Sequence, residues 1–442
     1  MKIQLSDHFT YKKLFRFTLP SIAMMVFTSI YYVVDGYFVS NYAGKTSFAA
    51  INLIMPLIMI LSGIGFMIGT GGSALVSFLL GLGDKKKANR TFSLLIYFTI
   101  VVGIIISVVG YFIVEPVAIA FGATEAMLPE CVLYGRICIL FNITFMLQNA
   151  FQSFFVVAEK PRMGLIVTLA AGFTNMILDY VFVGKLGMGV AGAAWATIIS
   201  QAVGGGIPLV YFFLPNDSPL RLGAASLDIS AILKTVSNGC SELMSNIASS
   251  VIGIIYNWQL LKFAGEDGVA AYGVIMYVAY IFIAIFIGYS VGSAPIVGFH
   301  YGAGNTDELK NMRKKSLKIM GISGLCMAGA AWILAPALSN IFVGYDSELL
   351  AITINAFRIF SLCYIFGGFN IYGSSFFTAL GNGPVSAAIS FLRVLVFQML
   401  AVLLLPIVLG INGIWIANTV AEIGALIVSA TFLIKLQKKY NY

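Results

Sequence analysis

Two carboxylates lie inside long apolar runs of this sequence. Asp35 falls in FRFTLPSIAMMVFTSIYYVVDGYFVSNYAG, residues 15–44, and Asp179 in FTNMILDYVFVGKLGMGVAGAAWATIISQA, residues 173–202. A carboxylate placed within a membrane helix costs roughly 2.5–3.5 kcal/mol even on lenient insertion scales, so such a residue points to an ion or proton site. Residues three or four apart share a helix face, which puts Thr28, Tyr31 and Asp35 on one polar stripe. Asn175 stands one turn before Asp179, and Thr197 one turn before Gln201. Together these side chains offer carboxylate, amide and hydroxyl oxygens. Such a set suits a hard monovalent cation such as Na⁺, whereas a proton needs only the two acids. The residues leave both ions open.

The elements that carry them follow from composition. The chain has 442 residues, 60% hydrophobic and 10% charged. A soluble domain carries about 25% charged residues, so most of this chain must face lipid or other helices. Continuous apolar runs long enough to cross a bilayer fall at about 15–40, 48–80, 91–115, 131–157, 163–184, 191–214, 234–262, 269–300, 316–340, 350–379, 385–409 and 413–435. They do not alternate as barrel strands would, so the expected fold is an all-α polytopic membrane protein of twelve transmembrane helices.

The net charge of +8 raises the question of nucleic acid, but its distribution answers otherwise. Basic clusters at Lys2 and Lys12–Arg16, Lys85–Arg90, Lys160 and Arg162, Arg221 and Lys234, Lys310–Lys318 and Lys435–Lys439 all fall on one side of the membrane. The other side receives only Lys45, Lys185 and Lys262. The positive-inside rule then places both termini in the cytoplasm and predicts contact with membrane lipid, not with nucleic acid. The first run is too long for a signal peptide and lacks its cleavage site, so no leader is expected to be removed. The five cysteines stand singly in apolar runs without metal spacing.

The two halves repeat at an offset of 221 residues. Ala43-Gly44 meets Ala264-Gly265, GLGD at residues 81–84 meets GAGN at 302–305, and Gly192 meets Gly413. Six spans per half is an even number, which gives parallel, pseudo-symmetric six-helix bundles related by an axis along the membrane normal. The expected division is an N-terminal lobe at 1–214, a cytoplasmic linker at 215–233 and a C-terminal lobe at 234–442. Applying the offset to Asp35 and Asp179 lands on Tyr256 and Leu400, so only the first lobe carries these acids.

Twelve helices in two lobes, Asp35 late in helix 1, the Asn175-x-x-x-Asp179 pair on helix 5, Thr197 on helix 6 and the GLGD loop after helix 2 resemble the MATE family of multidrug and toxic compound extrusion transporters. The similarity covers the whole chain and is greatest to the DinF-like and MepA-like bacterial branch. It implies the MATE/MOP-type fold in a bacterial or archaeal plasma membrane. It also implies export of organic cations and amphipathic drugs by alternating access against entering H⁺ or Na⁺, with no cofactor. The resemblance makes Asp35, Asn175, Asp179 and Thr197 the cation or proton site. It places Gln148 and Gln152 at the drug cavity, which Thr28, Tyr31 and Gln201 are also expected to line. Glu242 is a secondary site, about two turns earlier than the helix-7 glutamate of the NorM-like branch. Glu422 reads as structural, and Arg358 and Arg393 are the candidate partners of these two glutamates.

An enzyme is not expected. His8 and His300 are the only histidines, and no phosphate loop, nucleophile elbow or zinc motif occurs. The alternative is a lipid-linked oligosaccharide flippase of a related fold, whose cavity would need several cationic residues. The chain is expected to act as a monomer.

Overall fold

A computed structural model describes residues 3–442. Lys2, counted in the charge pattern, lies outside the described residues, as does the side chain of Lys45. The described residues form helices and no strand. In chain order these are α1 (Tyr11–Phe38), α2 (Lys45–Gly81), α3 (Lys85–Ala120), α4 (Leu128–Leu140), α5 (Asn142–Val157), α6 (Pro161–Asp179) and α7 (Gly189–Phe213). Then come α8 (Ile229–Gly302), α9 (Thr306–Val343), α10 (Ser347–Ser361), α11 (Tyr364–Ala379), α12 (Gly383–Phe391), α13 (Gln398–Leu409), α14 (Ile411–Lys435) and the short α15 (Gln437–Tyr440).

Two features separate this set from twelve straight rods. The expected spans 131–157 and 350–379 are each broken, at α4/α5 by 55° and at α10/α11 by 46°. The helix α8 runs through the two expected spans 234–262 and 269–300 without a loop, but Gly265 sits inside it at φ 61°, ψ −149°. That conformation is closed to side-chain-bearing residues, so glycine marks the turn of the chain back into the membrane. Splitting α8 there and joining each bent pair gives twelve crossings. The chain is a multi-pass membrane protein built as two pseudo-symmetric six-helix bundles.

The repeat is written in the backbone. Left-handed glycines recur 221 residues apart as Gly44 and Gly265, Gly83 and Gly304, and Gly189 and Gly410. Asp84 caps α3 through the Lys87 amide, and Asn305, at the same offset, caps α9 through the Glu308 amide. The α4/α5 break at Phe141 falls opposite the α10/α11 break at Leu362.

The bundles meet along α2 and α8 at the end that carries the basic loops. A methyl group on Gly81 would overlap the carbonyl oxygen of Phe299, and one on Gly302 would overlap that of Phe78. These two contacts are each other's image under the repeat. Close backbone approach of this kind is how membrane helices gain dispersion contacts where no hydrophobic effect drives them together. The segment before α1 crosses the same seam. The amide of Leu5 donates to Glu159 Oε1 at 2.8 Å on the first bundle, and that of Phe9 donates to Glu308 Oε1 at 2.9 Å on the second. His8 Nδ1 lies 2.6 Å from Glu308 Oε2.

Candidate functional site

Asp35 and Asp179 each sit beside a widened stretch of helix. Asp35 is on the last turn of α1, just before a π-helical segment at Val39–Ala43. Asp179 ends α6, and a second π segment, Tyr180–Lys185, follows at once. An extra residue in a helical turn re-aims the side chains around it, and such bulges concentrate at functional sites.

Asp35, Asn175 and Thr197 form part of the wall of one cavity within the first bundle, together with Tyr31, Tyr32, Tyr134, Cys138 and Gln201. Met55, Ile58, Met59 and Phe145 close its apolar side. Asp179 is fully buried at the end of α6, one turn beyond Asn175. Oδ1 of Asp35, both carboxyl oxygens of Asp179, Oδ1 of Asn175 and Oγ1 of Thr197 are buried without a hydrogen-bond partner among the described residues. Most buried polar atoms in folded proteins are paired, since an unpaired one costs about 1–3 kcal/mol. Five orphaned oxygens from these four residues give this part of the first bundle uncompensated polarity; unpaired buried polar atoms also occur elsewhere, as at Asn142 and His300. The cavity has about 10 Å³ of free volume. That is roughly the room one water-sized sphere needs, so the pocket can take a small ion or a water but not a drug.

The remaining expected residues divide. Tyr31 and Gln201 line this cavity. Gln148 is buried and packs against Gly204 of α7, with its Oε1 unpaired among the described residues. Gln152 is buried one turn further along α5. Thr28 donates its hydroxyl to the Met24 carbonyl of its own helix at 2.9 Å. Tyr32, Tyr134 and Cys138 join the wall without a sequence signal of their own. The four-residue spacing of Tyr134 and Cys138 on α4 puts them on one face, but nothing in the sequence says that α4 turns that face toward Asp35.

The second bundle answers the first with a closed circuit. Glu422 stands at the repeat position of Gln201 and is held by Arg393, with Nη2 2.7 Å and Nε 2.8 Å from Oε1. Asn370 Nδ2 donates to Glu422 Oε2 at 2.7 Å, and Ser429 donates to Asn370 Oδ1 at 2.9 Å. Arg393 lies in a third π segment, Leu392–Phe397. Arg358 instead stacks over the Trp332 ring, 4.6 Å from its centroid. Tyr256, at the repeat position of Asp35, is buried and stacked on Tyr272 at 4.9 Å, while Leu400, opposite Asp179, is exposed. Glu242 is half-buried on α8.

The MatE family model matches residues 20–181 and again 243–403, one copy in each bundle. The chain belongs to the MATE family. It is 23% identical over 436 residues to the multidrug export protein MepA of Staphylococcus saprophyticus, covering 95% of this chain and 93% of that protein. It is 22% identical over 384 residues to MepA of Staphylococcus aureus strain NCTC 8325, covering 87% and 84%. Among solved structures, a MATE in complex with MaL6 superposes with a TM-score of 0.93 at 21% identity, covering 98% of each chain. The outward-facing conformation of a multidrug resistance MATE transporter of the MOP superfamily gives 0.93 at 21% identity, covering 100% of this chain and 98% of that one. At such identity the structures establish that the MATE fold is shared.

Proposed function

We propose that this chain is a secondary active multidrug exporter, a transporter and not an enzyme, which moves organic cations and amphipathic drugs outward against entering H⁺ or Na⁺. The observation that supports the coupling half of this reading is the set of unpaired oxygens from Asp35, Asn175 and Thr197 around a cavity of ion size, with those of Asp179 buried one helical turn beyond Asn175. The export half is supported by the kinship with MepA. The reading takes 1–214 and 234–442 as the two moving lobes and 215–233 as their cytoplasmic linker. It places the chain as a monomer in the plasma membrane with both termini inside, following the basic loops.

Coupling follows if the ion and the drug favour opposite arrangements of the lobes, because each then shifts the population against the other. The free volume separates their sites. The ion enters the Asp35–Asp179 pocket, and the drug uses the wider space between the lobes, with Gln148, Gln152 and Thr28 on the first side and Glu242 on the second. A flippase for lipid-linked sugars is disfavoured by the kinship with multidrug export proteins.

The test is transport in proteoliposomes under imposed Na⁺ or pH gradients. Asp35→Asn and Asp179→Asn should each abolish ion-driven ethidium export while the protein inserts and unfolds normally. Full transport by both variants sinks the coupling site. Expression in cells without native pumps should raise ethidium resistance, and failure there sinks the export reading.

A further inference from the structure

A second cavity lies at the basic end of the first lobe. It has a volume of about 330 Å³ and is lined by Lys86, Lys87, Arg90 and Thr91 of α3 and by Ser226 of the linker. The linker is docked to make it. The Arg221 amide donates to Asn89 Oδ1 at 2.6 Å, the Gly223 amide donates to Ser93 Oγ at 3.0 Å, and Tyr97 donates to the Gly223 carbonyl at 3.0 Å. Leu220 and Leu222 are buried beneath it.

Two acids also line the cavity, Asp84 and Asp228. Both carboxylates are engaged as helix caps, by the Lys87 amide at 2.9 Å and the Ala231 amide at 3.0 Å. Three cations against two acids leave one net positive charge, beside the positive end of the α3 dipole. Thr91 supplies a second, independent sign. Its side chain is 95% buried, since its residue is 5% exposed, it faces the cavity, and its hydroxyl has no hydrogen bond among the described residues.

The setting favours a lipid. Leu227 lies between Ser226 and Asp228 in extended chain and turns outward, and Leu82, Ile229 and Leu233 are exposed around it. Apolar side chains next to a basic recess place its mouth at headgroup depth, where anionic lipids are recognised. We propose that this cavity binds a singly charged phosphate ester or phosphate ion, with the phosphodiester of an anionic phospholipid as the favoured source, and that the bound anion ties the linker to α3.

The experiment follows thermal unfolding of the full chain in neutral detergent with added phosphatidylglycerol, phosphatidylcholine or inorganic phosphate. Phosphatidylglycerol should raise the unfolding midpoint and phosphatidylcholine should not. A rise with inorganic phosphate equal to that with phosphatidylglycerol would support the site with free phosphate as its source. Thr91→Val should weaken binding about tenfold, the worth of one hydrogen bond to a charged group. Lys87→Ala combined with Arg90→Ala should weaken it on the order of a hundredfold, with the midpoint in phosphatidylcholine confirming an intact fold. No shift with either anion, or an undiminished shift in both variants, overturns the proposal.

Discussion

At the scale of single residues, the two lobes solve the problem of a buried charge in opposite ways. Glu422 is neutralised by a guanidinium with near-bidentate geometry and by Asn370. Among the described residues no Lys or Arg lines the cavity beside Asp35, and neither Asp35 nor Asp179 forms an ion pair. Removing one partner of a buried ion pair costs roughly 3–5 kcal/mol, because the other charge stays behind. Arg393→Gln should therefore lower unfolding stability by about that amount, and adding Glu422→Gln should restore much of it, measured as unfolding midpoints in detergent. Asp35→Asn should do the reverse of Arg393→Gln. It removes an uncompensated charge and should leave stability unchanged or higher while transport is lost. The two acids were legible in the sequence because charge inside an apolar run has few explanations. Tyr32, Tyr134 and Cys138 were not, because Tyr and Cys are ordinary in such runs and only the packing of α4 against α2 and α7 brings Tyr134 and Cys138 to the wall of this cavity.

Elements show the same division. Helix existence and number followed from apolar run length, and the repeat followed from glycine spacing. The break at Phe141 did not. The stretch ICILFNITFM, residues 137–146, holds neither proline nor glycine, so the usual causes of a kink are absent from the sequence. The π segments beside Asp35, Asp179 and Arg393 are equally silent, since one extra residue per turn leaves composition untouched. The crossing of α2 and α8 makes a sharper prediction. It rests on the carbonyls of Phe78 and Phe299 meeting bare glycines, so a methyl group there must push the helices apart. Gly81→Ala should cost roughly 1–3 kcal/mol of the closed contact. Spin labels placed on the basic ends of the two lobes should report a longer mean distance, and an unchanged distance would show that the crossing gives way without cost.

For the whole molecule, the seam closed by α2, α8 and the residues before α1 requires that any opening toward the basic side break Leu5–Glu159 or Phe9–Glu308 together with the glycine contacts. Glu308→Gln keeps the size of the side chain but weakens its hold on His8 and the Phe9 amide. It should shift the lobes toward opening on the basic side, seen as faster alkylation of a cysteine introduced at Thr235, which packs on Gly71 across the seam. An unaltered alkylation rate would count against the segment as a fastener. The acidic cavity, finally, is small enough to bear on electricity. If the proposed site takes one sodium ion per cycle, each turnover that expels one monovalent drug would carry equal charge in both directions. Where Na⁺ is the driver, clamping the vesicle voltage should leave export of such a drug unchanged, whereas a dicationic drug should slow or quicken with the sign of the potential.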